Sequence, residues 1–143
     1  NGLPESVLRY CAQIKKGKNL NIECQIYGSF EHLDADVVIS VYRIIQELLH
    51  NVVKHAKASH AIVQISLHND LLSIVLEDNG IGFDPAWETR GIGLKNLRSR
   101  IHHMNGRMTI ETTTGQESAD TAVQSGTTIY IEIDLTPRKR TLT

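Results

Sequence analysis

Glu47, Asn51, Lys54 and His55 stand at helical spacing and carry the first suggestion of chemistry in this sequence. At about 100° per residue they fall within an arc of roughly 100° beside an apolar stripe. Asn51 offers a neutral oxygen to a hard cation such as Mg²⁺. Lys54 can pair with a phosphate, His55 can donate to one, and Glu47 can polarise a water or another nucleophile. Any amphipathic helix has a polar face, so these four alone also describe an ordinary solvated surface. A second cluster follows in Asp78-Asn79-Gly80-Ile81-Gly82. An acidic residue at a strand end sets a carboxylate beside a turn of little bulk. There it can accept from the exocyclic amine of adenine, and the glycines let the backbone approach a flat ring. The same residues also spell a plain Asp-Asn-Gly turn. A third cluster, Arg90-Gly91-Ile92-Gly93-Leu94, opens a helix, and glycine amides at a helix N-terminus donate to phosphate. It is not the dinucleotide fingerprint, because Asn96 stands in place of the third glycine and no strand leads directly into it.

Other candidates are weaker. His50 and His55 are five positions apart, about 140° around a helix, which separates them too far for shared zinc ligation. His102 and His103 are adjacent and point to different sides. Trp87 reads as the anchor of the segment between the glycine pairs. Cys11 and Cys24 form neither a CxxC nor a metal-type pair, and two thiols make no disulfide framework, so a reducing cytoplasmic setting is expected.

The elements that must position these groups follow from periodicity. Pro4 opens a helix in which Val7, Leu8, Cys11 and Ile14 recur at helical steps to Lys16. Residues 20–27 alternate as a half-buried strand, and Asp34 stands where an N-cap belongs. Over 34–57 Val37, Val41, Ile44, Leu48, Val52 and Ala56 predict a long helix lying along the core. Residues 61–67 and 71–76 flank Asn69-Asp70 as a hairpin. A helix is expected over 94–104, stopped by Asn105-Gly106, then strands over 107–113 and 127–135, with a polar loop over 114–125 between them. This order predicts an α/β (α+β) two-layer sandwich: a mixed, mainly antiparallel sheet of about five strands with about three helices on one face.

Composition is compatible with that picture. The 143 residues are 41% apolar and 22% charged, enough for one packed domain. Fifteen basic and sixteen acidic residues give a formal charge of -1, which disfavours nucleic acid as a partner. No run approaches the roughly 20 apolar residues of a membrane span. The reading is one domain over 1–136 and a solvated basic tail over 137–143 that contains Arg138-Lys139-Arg140. The first residue is Asn1, so a piece of a longer protein is expected.

In order along the chain stand Glu47-x-x-x-Asn51-x-x-Lys54-His55-Ala56, Asp78-x-Gly80-x-Gly82, Gly91-x-Gly93-Leu94 and Gly126-Thr127. This series resembles the ATPase superfamily shared by gyrase, Hsp90, MutL and histidine kinases, with its Bergerat-type fold. Lys-His-Ala after Asn51 is similar to bacterial sensor histidine kinases. Glu47 in place of a first asparagine, the short 82–91 segment and the helix ending in Asn105-Gly106 resemble the nitrate-sensing subclass. The resemblance implies that Asn51 binds Mg²⁺, that Asp78 reads the adenine amine, and that Gly80 and Gly82 shape the base pocket. It further implies that Gly91 and Gly93, with Leu94 beside them, close over the phosphates and that Thr127 joins Asp78 through a water. Lys54 and His55 would steady the phosphates; Glu47 is the catalytic candidate of least settled role. The implied activity is ATP-dependent protein histidine kinase, with ATP and Mg²⁺ as cofactors. The acceptor histidine is expected on a helical dimerisation hairpin of the parent kinase, absent here, for relay to a response-regulator aspartate. The domain alone would be a monomer unable to phosphorylate itself, and its parent a homodimer, cytoplasmic or anchored in the inner membrane. An anti-sigma-factor-type serine kinase, another ATPase of the superfamily, and a non-catalytic binding module are the alternatives.

Overall fold

The computed structural model describes residues 2–17, 20–82, 94–113 and 125–137. Helix α1 (Leu3–Gly17) precedes strand β1 (Asn21–Tyr27), and helix α2 (Ala35–Asn51) follows. Strands β2 (His60–His68) and β3 (Leu71–Asp78) form a hairpin; helix α3 (Leu94–His103) leads to β4 (Gly106–Thr113) and β5 (Gly126–Asp134). The five strands lie in the order β1-β2-β3-β5-β4. β1 runs parallel to β2, as a strand joined through a helix can, and the remaining pairs are antiparallel. The β2–β3 turn places Asn69 and Asp70 at φ 48° and 64°, the left-handed pair that matches strand twist.

Alternation builds the core. Ala61, Val63 and Ile65 of β2, Leu72, Ile74 and Leu76 of β3, and Ile129, Ile131 and Ile133 of β5 are buried on one face. The inner stripes of the helices meet them: Leu3 and Val7, then Ile44, Leu48 and Leu49, then Leu97 and Ile101. The other face carries Gln25, Gln64 and Tyr130, and it is partly polar. The two-layer mixed sheet is as the pattern predicts.

The helix expected over 34–57 needs one correction. After Asn51 the backbone widens into a π-helical turn, Val52–Ala56, and stops at Lys57 in the left-handed region at φ 50°. A single widened turn in a helix is a recurrent device at functional sites. Here it has a visible tertiary partner, because the Ala56 carbonyl accepts from the Ile81 N–H at 2.8 Å. Asp34 holds the N-cap position of α2 but makes no side-chain capping bond.

Candidate functional site

Asp78 ends β3 on the buried face, at 8% exposure the sole charged or polar residue buried among those described. A carboxylate out of water must be answered by donors. The Gly80 N–H donates to its Oδ1 at 2.8 Å, and the Thr127 backbone, opposite it in the β3–β5 register, donates as well. Burial pushes its carboxyl above the ordinary aspartate range; the two backbone donors pull it partly back. Thr127 is itself tied in, its hydroxyl 3.3 Å from Thr112 Oγ1, which donates to the Gly126 carbonyl at 3.3 Å. The structure thus brings Asp78 and Gly80, singled out by spacing, together with Thr127, which only the resemblance named.

Gly80 shows why no side chain is admitted there. A Cβ on it would lie 2.0 Å from the Ala56 carbonyl oxygen. The strand end therefore rests directly on the π-helical turn. Gly82, at φ 88°, takes a conformation that favours glycine and faces Thr112 and Thr113. Asn79, between them in sequence logic but not counted as a site residue, proves to be the best-connected side chain of the loop. Its Oδ1 accepts from the Ser59 and His60 N–H groups, both at 2.9 Å, and its Nδ2 donates to Ser59 Oγ at 2.9 Å. The only sequence signal was its place in Asp-Asn-Gly, which reads as turn chemistry.

On the helix side, the Asn51 side-chain Nδ2 is buried without a hydrogen-bond partner. A buried amide N–H without an acceptor is unusual in a folded chain. No cluster of three or more His, Cys, Asp or Glu suited to a metal occurs among the described residues. The unspent Nδ2 is a donor and suits an acceptor such as an oxygen anion, whereas a cation such as Mg²⁺ would take the oxygen of the same amide and draw its other ligands from phosphates and water. Lys54 is exposed, on the widened turn rather than on a regular helix. His55 is half-buried, and burial, then Lys54, then His50 hold its imidazole below the usual histidine range. At neutral pH it is a neutral donor, not a cation.

Two expected site residues are placed differently from the others. Glu47 Oε2 accepts from Arg100 Nη2 of α3 at 2.7 Å, so its carboxylate is already engaged. The Leu94 side chain is in the core at 3% exposure, which leaves only its backbone to a ligand. Gly91 and Gly93, with Arg90 and Trp87, lie outside the described residues, as do the 114–124 part of the polar loop and Arg138-Lys139-Arg140. Beside Asp78 a cleft of about 310 Å³ opens between the strand ends, lined by Glu77, Asn79, Glu111 and Thr128 among others. Its carboxylates repel a polyphosphate, and no Lys or Arg lines it among the described residues.

Comparison with known proteins accords with this geometry. Residues 36–137 match the family described as histidine kinase-, DNA gyrase B-, and HSP90-like ATPase. Over 136 residues the chain is 31% identical to the signal transduction histidine-protein kinase/phosphatase DegS of Brevibacillus brevis, covering 94% of this chain and 33% of that protein. The sensor histidine kinase ComP of Bacillus subtilis (strain 168) is 33% identical over 119 residues, 80% of this chain and 15% of that one. The chain thus spans a third or less of the length of these curated relatives. Among solved structures, the histidine kinase domain of a blue-light activated histidine kinase from Erythrobacter litoralis superimposes with a TM-score of 0.68 at 19% identity. That match covers 94% of this chain and 61% of the other, and it shows a shared fold.

Proposed function

The chain belongs to the histidine kinase-, DNA gyrase B- and HSP90-like ATPase family, and from that premise we propose that it holds Mg-ATP and donates the γ-phosphoryl to a histidine of a sensor kinase. The observation that carries this reading is Asp78, a buried carboxylate set among backbone donors at a glycine turn, with an acceptor to offer a flat base. Asp78 accepts from the adenine amine, with Thr127 beside it, and Gly80 and Gly82 give the ring its space. Asn51 supplies the one neutral protein oxygen for Mg²⁺, which, when bound, neutralises charge on the polyphosphate. Lys54 pairs with the phosphates as a mobile cation, and neutral His55 donates to them. The backbone amides of Gly91, Gly93 and Leu94 complete the phosphate contacts. Phosphoryl transfer asks mainly for positioning and charge neutralisation, which this set provides. Glu47 is the remaining catalytic candidate, and a nucleophile that used its carboxylate would have to share or displace the Arg100 guanidinium.

The acceptor histidine lies on a helical hairpin of the parent kinase, and an aspartate of a response regulator receives the phosphoryl next. The parent is a homodimer in this reading and the domain acts on the cytoplasmic side. The measurement is titration calorimetry of this chain with Mg-ATP. Wild type is expected to bind, and Asp78→Asn to lose most of the affinity, because an amide presents a donor where the adenine amine needs an acceptor. Undiminished binding by Asp78→Asn would remove Asp78 from the site. Incubation with labelled ATP is expected to leave no acid-labile phosphate on this chain; its appearance would place the acceptor among the seven histidines present.

A further inference from the structure

We propose that Asn79 is a positioning residue for the nucleotide: its side-chain amide locks the segment after the Asn51–His55 face to the loop after Asp78. Both ends of one ATP then meet their partners without rearrangement. The proposal rests on the reading above, in which Asp78 takes the base and Asn51, Lys54 and His55 take the metal and phosphates.

The β2–β3 ladder ends at the pair Ala61 and Asp78. Beyond it the chain must leave strand geometry to make the glycine turn. Asn79 continues the attachment by other means. Its own N–H donates to the His60 carbonyl at 3.2 Å. Its side-chain oxygen has two lone pairs and takes the N–H groups of Ser59 and His60; its nitrogen donates to the Ser59 hydroxyl. The next two residues also bear on the same stretch, Gly80 packing on the Ala56 carbonyl and Ile81 bonding to it. The tie therefore runs from the adenine-side loop to residues 56–60, the chain that directly follows Asn51, Lys54 and His55. Without the Asn79 side chain, the π-helical turn and the loop after Asp78 would be joined by the strand register, the Asn79 N–H on the His60 carbonyl and the contacts of Gly80 and Ile81 with the Ala56 carbonyl.

Three features separate this role from a simple contribution to folding. Asn79, Ser59 and His60 are all exposed, so water can replace each bond when the side chain is cut back. What water cannot replace is the fixed spacing between two binding elements. Positional errors of about 1 Å cost binding and catalytic groups far more than they cost stability. The donor and acceptor pattern is also specific. Aspartate keeps the oxygen for both amides and can accept from the Ser59 hydroxyl, whereas alanine keeps nothing.

The test compares wild type, Asn79→Ala and Asn79→Asp by thermal melting, by calorimetry with Mg-ATP, and by NMR titration with adenosine, which engages the base site alone. Asn79→Ala is expected to melt close to wild type and to bind adenosine nearly as well. Its affinity for Mg-ATP falls by roughly tenfold or more. Asn79→Asp is expected to recover most of that loss, and Ser59→Ala to show a smaller fall of the same kind. Equal Mg-ATP affinity in Asn79→Ala overturns the proposal. So does an equal fall for adenosine and Mg-ATP, which would mean a local disturbance of Asp78. A loss that disappears on cooling together with a large drop in Tm would mean a folding role and overturns it too. Absence of any Mg-ATP binding by wild type overturns the proposed function, and this inference with it.

Discussion

Asp78 occupies a site where water is scarce, and its ionised form is answered mainly by the Gly80 and Thr127 backbone. Because burial raises its pKa in the folded state, the fold holds the proton more firmly than the unfolded chain does. Stability from this group is therefore full below the unfolded value, near 4, and declines as pH rises through the higher folded value. The Tm of Asp78→Asn relative to wild type is expected to improve between pH 3 and pH 7, while ATP affinity is lost. A difference in Tm that is flat with pH would contradict the assignment. Arg100 gives a second prediction at this scale. The Glu47–Arg100 pair is partly exposed, so Arg100→Ala should cost no more than about 1 kcal/mol. Freed from the guanidinium, Glu47 is expected to raise slow ATP hydrolysis by this chain several-fold, measured as phosphate release. Glu47→Gln should cancel that gain. Local spacing made Asp78 and Gly80 legible in the sequence, and Thr127 entered only through the resemblance. The Arg100 partner of Glu47, 53 positions away, and the Ser59 partner of Asn79, 20 positions away, were not, because only folding sets such distances. The Leu94 side chain belongs to the apolar stripe of α3, so the nucleotide contact that the resemblance implies for it falls to its backbone.

Among the elements, the π-helical turn decides most. Its Ala56 carbonyl is directed at the loop after β3, and Gly80 leaves the room for that contact. Gly80→Ala must displace backbone, not a flexible side chain, and is expected to cost more than about 2 kcal/mol in denaturant unfolding. Lys57, at φ 50°, is held in the left-handed region. Lys57→Gly is expected to stabilise by about 0.5–1 kcal/mol, since glycine adopts that conformation without the Cβ penalty. Loss of stability on that change would show that the lysine stem packs there. Helix and strand bounds were readable within one or two residues over most of the chain because periodicity of 3.6 or 2 extends over many positions. One widened turn adds no periodicity of its own. Val52 and Ala56 satisfy a regular helical stripe as well as they satisfy the π geometry, so only the contact with Ile81 and Gly80 distinguishes them.

At the level of the whole molecule, the helices and the sheet share a single core, and Leu48 lies within it next to Glu47 in the chain. Leu48→Ala is expected to lose about 2–5 kcal/mol and, with it, ATP binding at temperatures where wild type still binds. Retained stability would mean the core closes around the cavity. The mixed sheet, its five strands and the layer of helices followed from element order and hydrophobic pattern. The strand order did not. That β5 lies between β3 and β4 depends on which inner faces best complete one another, a question of packing that pattern alone leaves open.

That order has a consequence in time. β5 is the last strand in the chain, yet it is laid against β3 and brings Thr127 to Asp78. A ribosome releases a chain from its N-terminus, at roughly 5–20 residues per second. Until β5 emerges, β3 is an open edge, and the Asp78 carboxylate lacks one of its two backbone donors. The proposed nucleotide site is thus finished only when the sheet is, and a chain cut short before residue 126 has the motifs of the pocket without its closing wall.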